Sequence, residues 1–137
     1  MATLRLEIVT PDARAFSDDV DMVVIPAVEG EMGVLPMHVP LMTQIHAGEL
    51  IVHQAGKTSY LAVGEGFVEI TQDGVNVLTD MAIEERAIDE SAAEDAVKRA
   101  EEALKGHELG GEETAAVQAA LAKSLAQLHV KRRRRGA

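Results

Sequence analysis

The chain has 137 residues, of which 47% are hydrophobic but only 2% aromatic, and it carries a net charge of −10. This length suits one domain, or a small domain with an appendage, whose core must be aliphatic. The lack of cysteine excludes disulfides and thiolate metal sites, and the acidic balance argues against nucleic-acid binding. Because no apolar run approaches the roughly 20 residues that span a bilayer, we expect an intracellular protein without direct membrane insertion.

The first part of the chain has the pattern of short antiparallel strands. Leu4, Leu6 and Ile8 alternate with other residues, as in a half-buried strand. Further apolar runs, separated by glycine-containing turn signals, cover residues 20–25, 41–45, 49–53, 59–63, 67–71 and 75–79. Asp73-Gly74 predicts a two-residue primed turn of a hairpin. We therefore predict an antiparallel β-sandwich or barrel over residues 1–85.

Residues 26–41 form an unusual segment that is rich in proline and glycine. Its three prolines each fix φ and remove a backbone donor, and its two glycines can adopt positive φ. Such punctuation disfavours a helix or a central strand, so we predict a rigidly shaped loop. Its carboxylates and methionines suit contact with another protein.

From residue 89 the apolar positions recur at helical spacing up to residue 105. Asp89 and Ser91 are both suitable N-cap residues, which leaves the start of this helix open between them. Gly106 follows at a natural C′ position and predicts its end.

A second helix is predicted from about residue 112 to about residue 131, after the Gly110-Gly111 pair. Its predicted apolar stripe consists of Val117, Leu121, Leu125 and Leu128. Both helices are rich in alanine, so they can approach closely while burying little area. Residues 86–137 are therefore predicted to form an antiparallel two-helix hairpin, either a moving part or a static appendage.

The histidines offer few candidate sites. His46 and His53 fall on neighbouring predicted strands and could approach each other, but no carboxylate spacing typical of a metal site accompanies them. We predict no metal and no catalytic residue. His38 has two interpretations, a hydrogen bond within its own loop or a contact with a partner protein.

The chain ends in a basic run, residues 131–135. Three interpretations stay open for it. It is a frayed, solvated tail, a patch for nucleic acid or anionic lipid, or a set of arginines that dock on an acidic protein surface. The acidic remainder of the chain disfavours the second.

Three stretches carry a resemblance to a known family. They are Glu29-Gly30-x-x-Gly33-x-Leu35-Pro36-x-His38-x-Pro40, Gly64-x-Gly66-Phe67-x-Glu69 and Val77-Leu78-x-Asp80. In these stretches the chain resembles the epsilon subunit of bacterial F-type ATP synthases, which is called delta in mitochondria. The resemblance covers essentially the whole chain, since a helical tail follows at the distance that the family requires.

The resemblance implies a non-catalytic rotor subunit of the central stalk, at the cytoplasmic face of the bacterial inner membrane. It assigns contact with the gamma subunit to the face that carries His38 and Met42. It assigns contact with the c-ring to Glu29, Gly30, Glu31, Met32 and Gly33. The alternative is a free-standing regulatory or adaptor module that holds a partner with its hairpin.

The resemblance also implies that the hairpin can extend into the catalytic head of alpha and beta subunits and inhibit ATP hydrolysis. The basic side chains assigned to this contact with an acidic segment are Lys123, Lys131, Arg132, Arg133, Arg134 and Arg135.

Some members of the family bind ATP through an Ile/Leu-Asp-x-x-Arg-Ala motif at the start of the first helix. Here Ile88, Asp89 and Ala93 match that motif, but Ala92 replaces its arginine and Arg99 lies two turns further on. Losing a charged donor to phosphate is expected to cost roughly tenfold or more in affinity. We therefore expect no cofactor and no tight ATP site.

Overall fold

A computed structural model describes residues 2–105 and 110–136, with side chains as far as Arg133. Its N-terminal part is a strongly curved β-sheet. The strands are β1 (Leu4–Val9), β2 (Arg14–Val20), β3 (Met22–Ala27), β4 (Gly30–Val34), β5 (Leu41–Ile45), β6 (Gly48–Gln54), β7 (Lys57–Val63), β8 (Gly66–Ile70), β9 (Gly74–Thr79) and β10 (Ala82–Glu84).

The strand order is β10-β7-β6-β3-β5-β8-β9-β1-β2, and β4 pairs with β3 beside this path. The pairing of β1 with β9 is parallel, whereas the neighbours of β3, β6 and β8 are antiparallel. The far end of β2 returns towards β6, where Gln54 Nε2 donates to the Asp19 carbonyl at 2.8 Å. The predicted sandwich or barrel is confirmed, with one parallel pair inside it.

The main core consists of leucine, isoleucine and valine side chains that β1 to β9 point inward. Leu6, Ile8 and Val68 are among its fully buried members. Phe16 only packs against its edge. The prediction of an aliphatic core is confirmed, because every buried member of this cluster is leucine, isoleucine or valine. Alternate residues of each strand face the same side of the sheet and so meet in this core.

The prediction of a loop is wrong for residues 26–34, which form most of the β3–β4 hairpin. Pro26 is tolerated within β3 because β3 pairs with β6 as far as Val24 and with β5 at Ala27. A missing N–H at this change of partner leaves the ladders intact. Gly30, with φ of 131°, enters β4 in a conformation that disfavours other residues. Residues 35–40 form the loop that leads into β5.

The β8–β9 hairpin is confirmed, but its predicted turn is wrong by one residue. Gly74 belongs to β9, and the turn lies at Gln72-Asp73. Gly74 is needed there because a Cβ would collide with the carbonyl oxygen of Arg5 on the parallel strand β1. A primed turn instead joins β6 to β7 at Ala55-Gly56, where φ is 50° and 81°.

The C-terminal part holds a short 3-10 helix (Glu85–Ala87) and helices α1 (Glu90–Lys105) and α2 (Gly111–Gly136). Asp89 caps α1, since its Oδ1 accepts a hydrogen bond from the Ala92 N–H at 3.0 Å. This settles the start of the helix, whereas Gly106 lies outside the described residues. The predicted two-helix hairpin is confirmed, and α2 continues about one turn beyond its predicted end.

The predicted stripe of α2 is only partly correct. Leu128 is buried, but Leu125 is 48% exposed. The other buried positions are Ser124, Ala126 and Val130. Helix α2 contacts α1 and also strands β6 and β7, so it buries two faces rather than one. A single heptad-like stripe cannot describe a helix that is covered on two sides.

Candidate protein-binding surfaces

The outer face of β5, β8 and β9 presents large apolar side chains. Phe67 lies in register between Gln44 and Leu78, and Met42 belongs to the next row of the same face. Met42, Phe67 and Leu78 are 66%, 51% and 54% exposed. We call these three side chains, with the exposed loop residues Leu35, Met37 and Val39, the apolar face. Exposed apolar side chains that share one face of a sheet, as Met42, Phe67 and Leu78 do, mark interaction sites more often than isolated residues do.

The loop that leads into β5 holds its apolar side chains in a constrained conformation. Met37 has φ of 68°, which is uncommon for a residue other than glycine, and its side chain is 72% exposed. His38 is half-buried, and its Nδ1 donates to the Val39 carbonyl at 2.7 Å. Of the two interpretations of His38, the structure shows the hydrogen bond within its own loop. Contact between His38 and a partner stays a prediction.

The residues predicted to meet the c-ring lie on the β3–β4 hairpin. Glu29, Gly30 and Glu31 are exposed around its turn. Met32 is half-buried and packs against the main core. Gly33 is exposed, but a Cβ there would come within 2.5 Å of the Met22 side chain. The hairpin therefore exposes two carboxylates, whereas Met32 packs against the main core and Gly33 lies close to Met22.

The cations predicted for an inhibitory contact bind groups of this chain as far as their side chains are described. The contacts are Lys123 Nζ to Asp80 at 3.7 Å, Lys131 Nζ to the Glu85 carbonyl at 3.3 Å, Arg132 to Glu90 and Glu94 at 3.1 and 2.9 Å, and Arg133 to Glu49 at 2.5 Å. The side chains of Arg134 and Arg135 lie outside the described residues.

This arrangement bears on the three interpretations of the basic run. The interpretation as a frayed tail is wrong, because the backbone of this segment is helical as part of α2. Arg132 and Arg133 dock on an acidic protein surface, and that surface belongs to the same chain. The hydrogen bonds that Arg132 donates to Glu90 and to Glu94, in this order of effect, raise the pKa of Arg132 above its usual value.

Glu49 is the functional candidate that the sequence did not reveal. Its side chain is only 4% exposed, and Arg133 donates to its Oε1. Its Oε2 is also buried and has no hydrogen-bond partner among the described residues. The core-facing positions of β6 are Leu50 and Val52, so Glu49 points to the other side, where α2 covers the sheet. Helix α2, which is distant in the sequence, contacts β6 on this side.

His46 and His53 do not approach each other. His46 lies two residues before β6, and His53 lies five residues beyond Gly48, the first residue of β6, which is roughly 16 Å at about 3.3 Å per residue. His46 Nδ1 donates to the Ala47 carbonyl at 2.8 Å, and His53 Nδ1 lies 3.2 Å from Thr58 Oγ1. In the described part of the chain, no three His, Asp or Glu side chains are placed to hold a metal ion.

The residues of the altered ATP motif serve the fold. Ile88 and Ala93 are buried, and Asp89 caps α1. Arg99 is exposed on α1, ten residues beyond Asp89, which is roughly 15 Å along the helix axis. The structure therefore does not bring the carboxylate and the arginine together.

Two family models match this chain. "ATP synthase, Delta/Epsilon chain, beta-sandwich domain" matches residues 3–85, and "ATP synthase, Delta/Epsilon chain, long alpha-helix domain" matches residues 86–132. An "ATP synthase epsilon chain" of Dehalococcoides mccartyi is 42% identical over 135 residues, which cover 98% of this chain and 96% of the relative. Another, of Alkalilimnicola ehrlichii, is 40% identical over 136 residues, covering 98% and 96%.

Two solved structures are similar in fold. A chain of the Euglena gracilis mitochondrial ATP synthase has a TM-score of 0.76 and 24% identity, covering 94% of this chain and 81% of that chain. A chain of the Tetrahymena thermophila mitochondrial ATP synthase central stalk and c-ring has a TM-score of 0.62 and 9% identity, covering 95% and 97%.

Proposed function

The chain belongs to the delta/epsilon family of ATP synthase, a non-catalytic subunit of that complex, and from this premise we propose how its surfaces act. The apolar face binds the gamma subunit, the β3–β4 hairpin meets the c-ring, and the basic end of α2 contacts the catalytic head.

The apolar face carries the proposal for gamma. Met42, Phe67 and Leu78 lie on one side of three adjacent strands, although the inward positions of those strands already supply the core. Covering these side chains with a partner removes their apolar surface from water, which is favourable by about 25 cal/mol for each Å² that is buried. Met37 adds a side chain that an unusual backbone conformation holds outward.

The β3–β4 hairpin suits the polar loops of a ring. Its exposed Glu29 and Glu31 are carboxylates near the turn of a short hairpin, in which β4 pairs with β3. Among the described residues, no helix is long and apolar enough to cross a membrane. In this proposal, contact with the c-ring attaches the chain to the cytoplasmic face of the bacterial inner membrane.

The basic end of α2 suits inhibition of ATP hydrolysis. Its described arginines already bind carboxylates within the chain, which supports recognition of an acidic segment on the alpha and beta subunits. ATP binding by this chain is weak or absent, since Asp89 is committed to capping and Ala92 offers no charge to a phosphate.

Affinity purification tests membership of the complex. The chain, tagged at its N-terminus and expressed in its own host, is recovered from detergent-solubilised membranes. Co-purification of alpha, beta, gamma and the c-ring at defined stoichiometry is the expected result. Recovery of the chain with other proteins and without gamma would instead favour a free-standing adaptor.

A further inference from the structure

A buried carboxylate joins the two parts of the chain. Among the residues whose burial is described, Glu49 is the charged residue that is buried, with 6% of the residue exposed. A buried charge is tolerated only when it is paired, and Arg133 supplies the pairing. Arg133 is itself half-exposed, so water can reach the cation but hardly the anion.

An apolar contact accompanies this pair. Its buried centre is Ala62, Ile88, Ala126 and Val130, and the partly buried side chains packed against that centre are Ala47, Tyr60, Met81 and Ile83. Three of these eight residues are alanines, and the main core is separate from this cluster. The charge pair therefore adds a polar contact to a modest apolar contact between α2 and the sheet.

Neighbouring cations tie the same end of α2 to other elements. Arg132 pairs with Glu90 and Glu94 of α1, and Lys131 donates to the Glu85 carbonyl. These bonds engage some of the donors that an acidic partner would use. Docking of α2 on this chain therefore competes with binding of these cations to another protein.

We infer that Glu49 and Arg133 form an autoinhibitory latch, which holds α2 on the sheet and withholds Arg133 from acidic partners. Opening the latch exposes Glu49 to water and frees Arg133, whereas Arg132 is held by α1 and not by the sheet. Only the identity of the partner rests on the proposed function, because the latch itself lies within the isolated chain.

Amide hydrogen exchange on the isolated full chain tests the latch. In Glu49→Gln, exchange in α2 residues 121–131 is expected to rise by about tenfold or more, while β1, β8 and β9 stay protected. Glu69→Gln is the matched control, since it makes the same charge change at an exposed position of β8. Unchanged exchange in α2 of Glu49→Gln would overturn the latch.

A second pair of variants separates charge pairing from general damage. Arg133→Ala leaves Glu49 buried without its cation, so α2 is expected to exchange as fast as in Glu49→Gln or faster. The double variant Glu49→Leu with Arg133→Leu removes both charges and is expected to restore protection. Fast exchange in this double variant would show that the site needs these particular side chains for packing, and would overturn a role based on charge.

Binding of a fluorescent hexaglutamate peptide tests the autoinhibition. Glu49→Gln is expected to bind the peptide severalfold more tightly than the unaltered chain and the Glu69→Gln control do. Adding Arg133→Ala should remove that gain. Equal affinity of the three chains would overturn the autoinhibitory role, even though gamma binding and the proposed function would stand.

Discussion

Arg133 in α2 donates a hydrogen bond to Glu49 in β6, although 84 residues separate them along the chain. The next residue towards the N-terminus, Arg132, pairs with Glu90 and Glu94 of α1. One turn of α2 is thereby bound both to the sheet and to the other helix. The position of α2 thus depends on charge as well as on apolar packing.

The β-sheet should fold without the helices. The main core lies between Leu4 and Val77, so a shortened chain that ends at Glu85 keeps every member of it. Loss of α2 exposes Ala62 and lets water reach Glu49, which costs little. We expect a β-type circular dichroism spectrum, cooperative urea unfolding and retained gamma binding. A gradual, non-cooperative transition would contradict this expectation.

Charge at the β3–β4 hairpin should matter for coupling rather than for stability. Glu31 is exposed, so Glu31→Lys is expected to change the free energy of unfolding by no more than about 0.5 kcal/mol. We expect ATP-driven proton pumping by washed membranes to fall by half or more, since the catalytic head attaches less firmly. Glu101→Lys, an equally exposed change on α1, serves as the control. Normal pumping by the Glu31 variant would remove Glu31 from the ring contact.

The sequence predicted those strands whose residues alternate strongly, such as Leu4–Val9. It missed β2 (Arg14–Val20), because an edge strand with many polar, exposed residues shows no alternation. It missed β4 because the glycines and prolines of this segment indicated a loop. They gave no sign that Gly30–Val34 pairs with β3. Outward residues such as Phe67 could have been found from the same alternation, since Val68 and Ile70 face the core.

Glu49 could not be predicted from the sequence. Its burial comes from α2, and the contact with Arg133 depends on how the hairpin lies on the sheet. The exposure of Leu125 has the same cause, because helical periodicity does not say that two different surfaces cover α2. Local signals fix elements, whereas contacts between elements need the tertiary arrangement.

Mg-ATP should not bind tightly. A titration of the isolated chain followed by NMR is expected to give no saturable shifts of the Asp89 and Arg99 amides at micromolar nucleotide. The reason is geometric, since Asp89 caps α1 and Arg99 lies roughly 15 Å along the helix. A micromolar binding isotherm would contradict this and would show that other donors replace the missing arginine.

Removing α2 should relieve inhibition. We expect deletion of residues 112–137 to raise ATP hydrolysis by the assembled enzyme about twofold or more and to leave synthesis largely intact. Replacing Arg132 to Arg135 with alanine should give part of this rise, and salt should mask the difference because exposed charges are screened. The Glu49→Gln enzyme should instead hydrolyse ATP more slowly than the unaltered enzyme, since Arg133 is freed. Equal rates for the intact and shortened enzymes would leave α2 as a passive appendage.

The affinity of this chain for isolated gamma subunit, measured by calorimetry, tests the proposed stalk contact most directly. Phe67→Glu places a charge at the centre of the apolar face. We expect this change to raise the Kd by about tenfold or more. Ser59→Glu makes the same kind of change on β7, at an exposed position outside that face, and should leave the Kd within about twofold. Undiminished binding of gamma by the Phe67 variant would show that the apolar face is not the stalk contact.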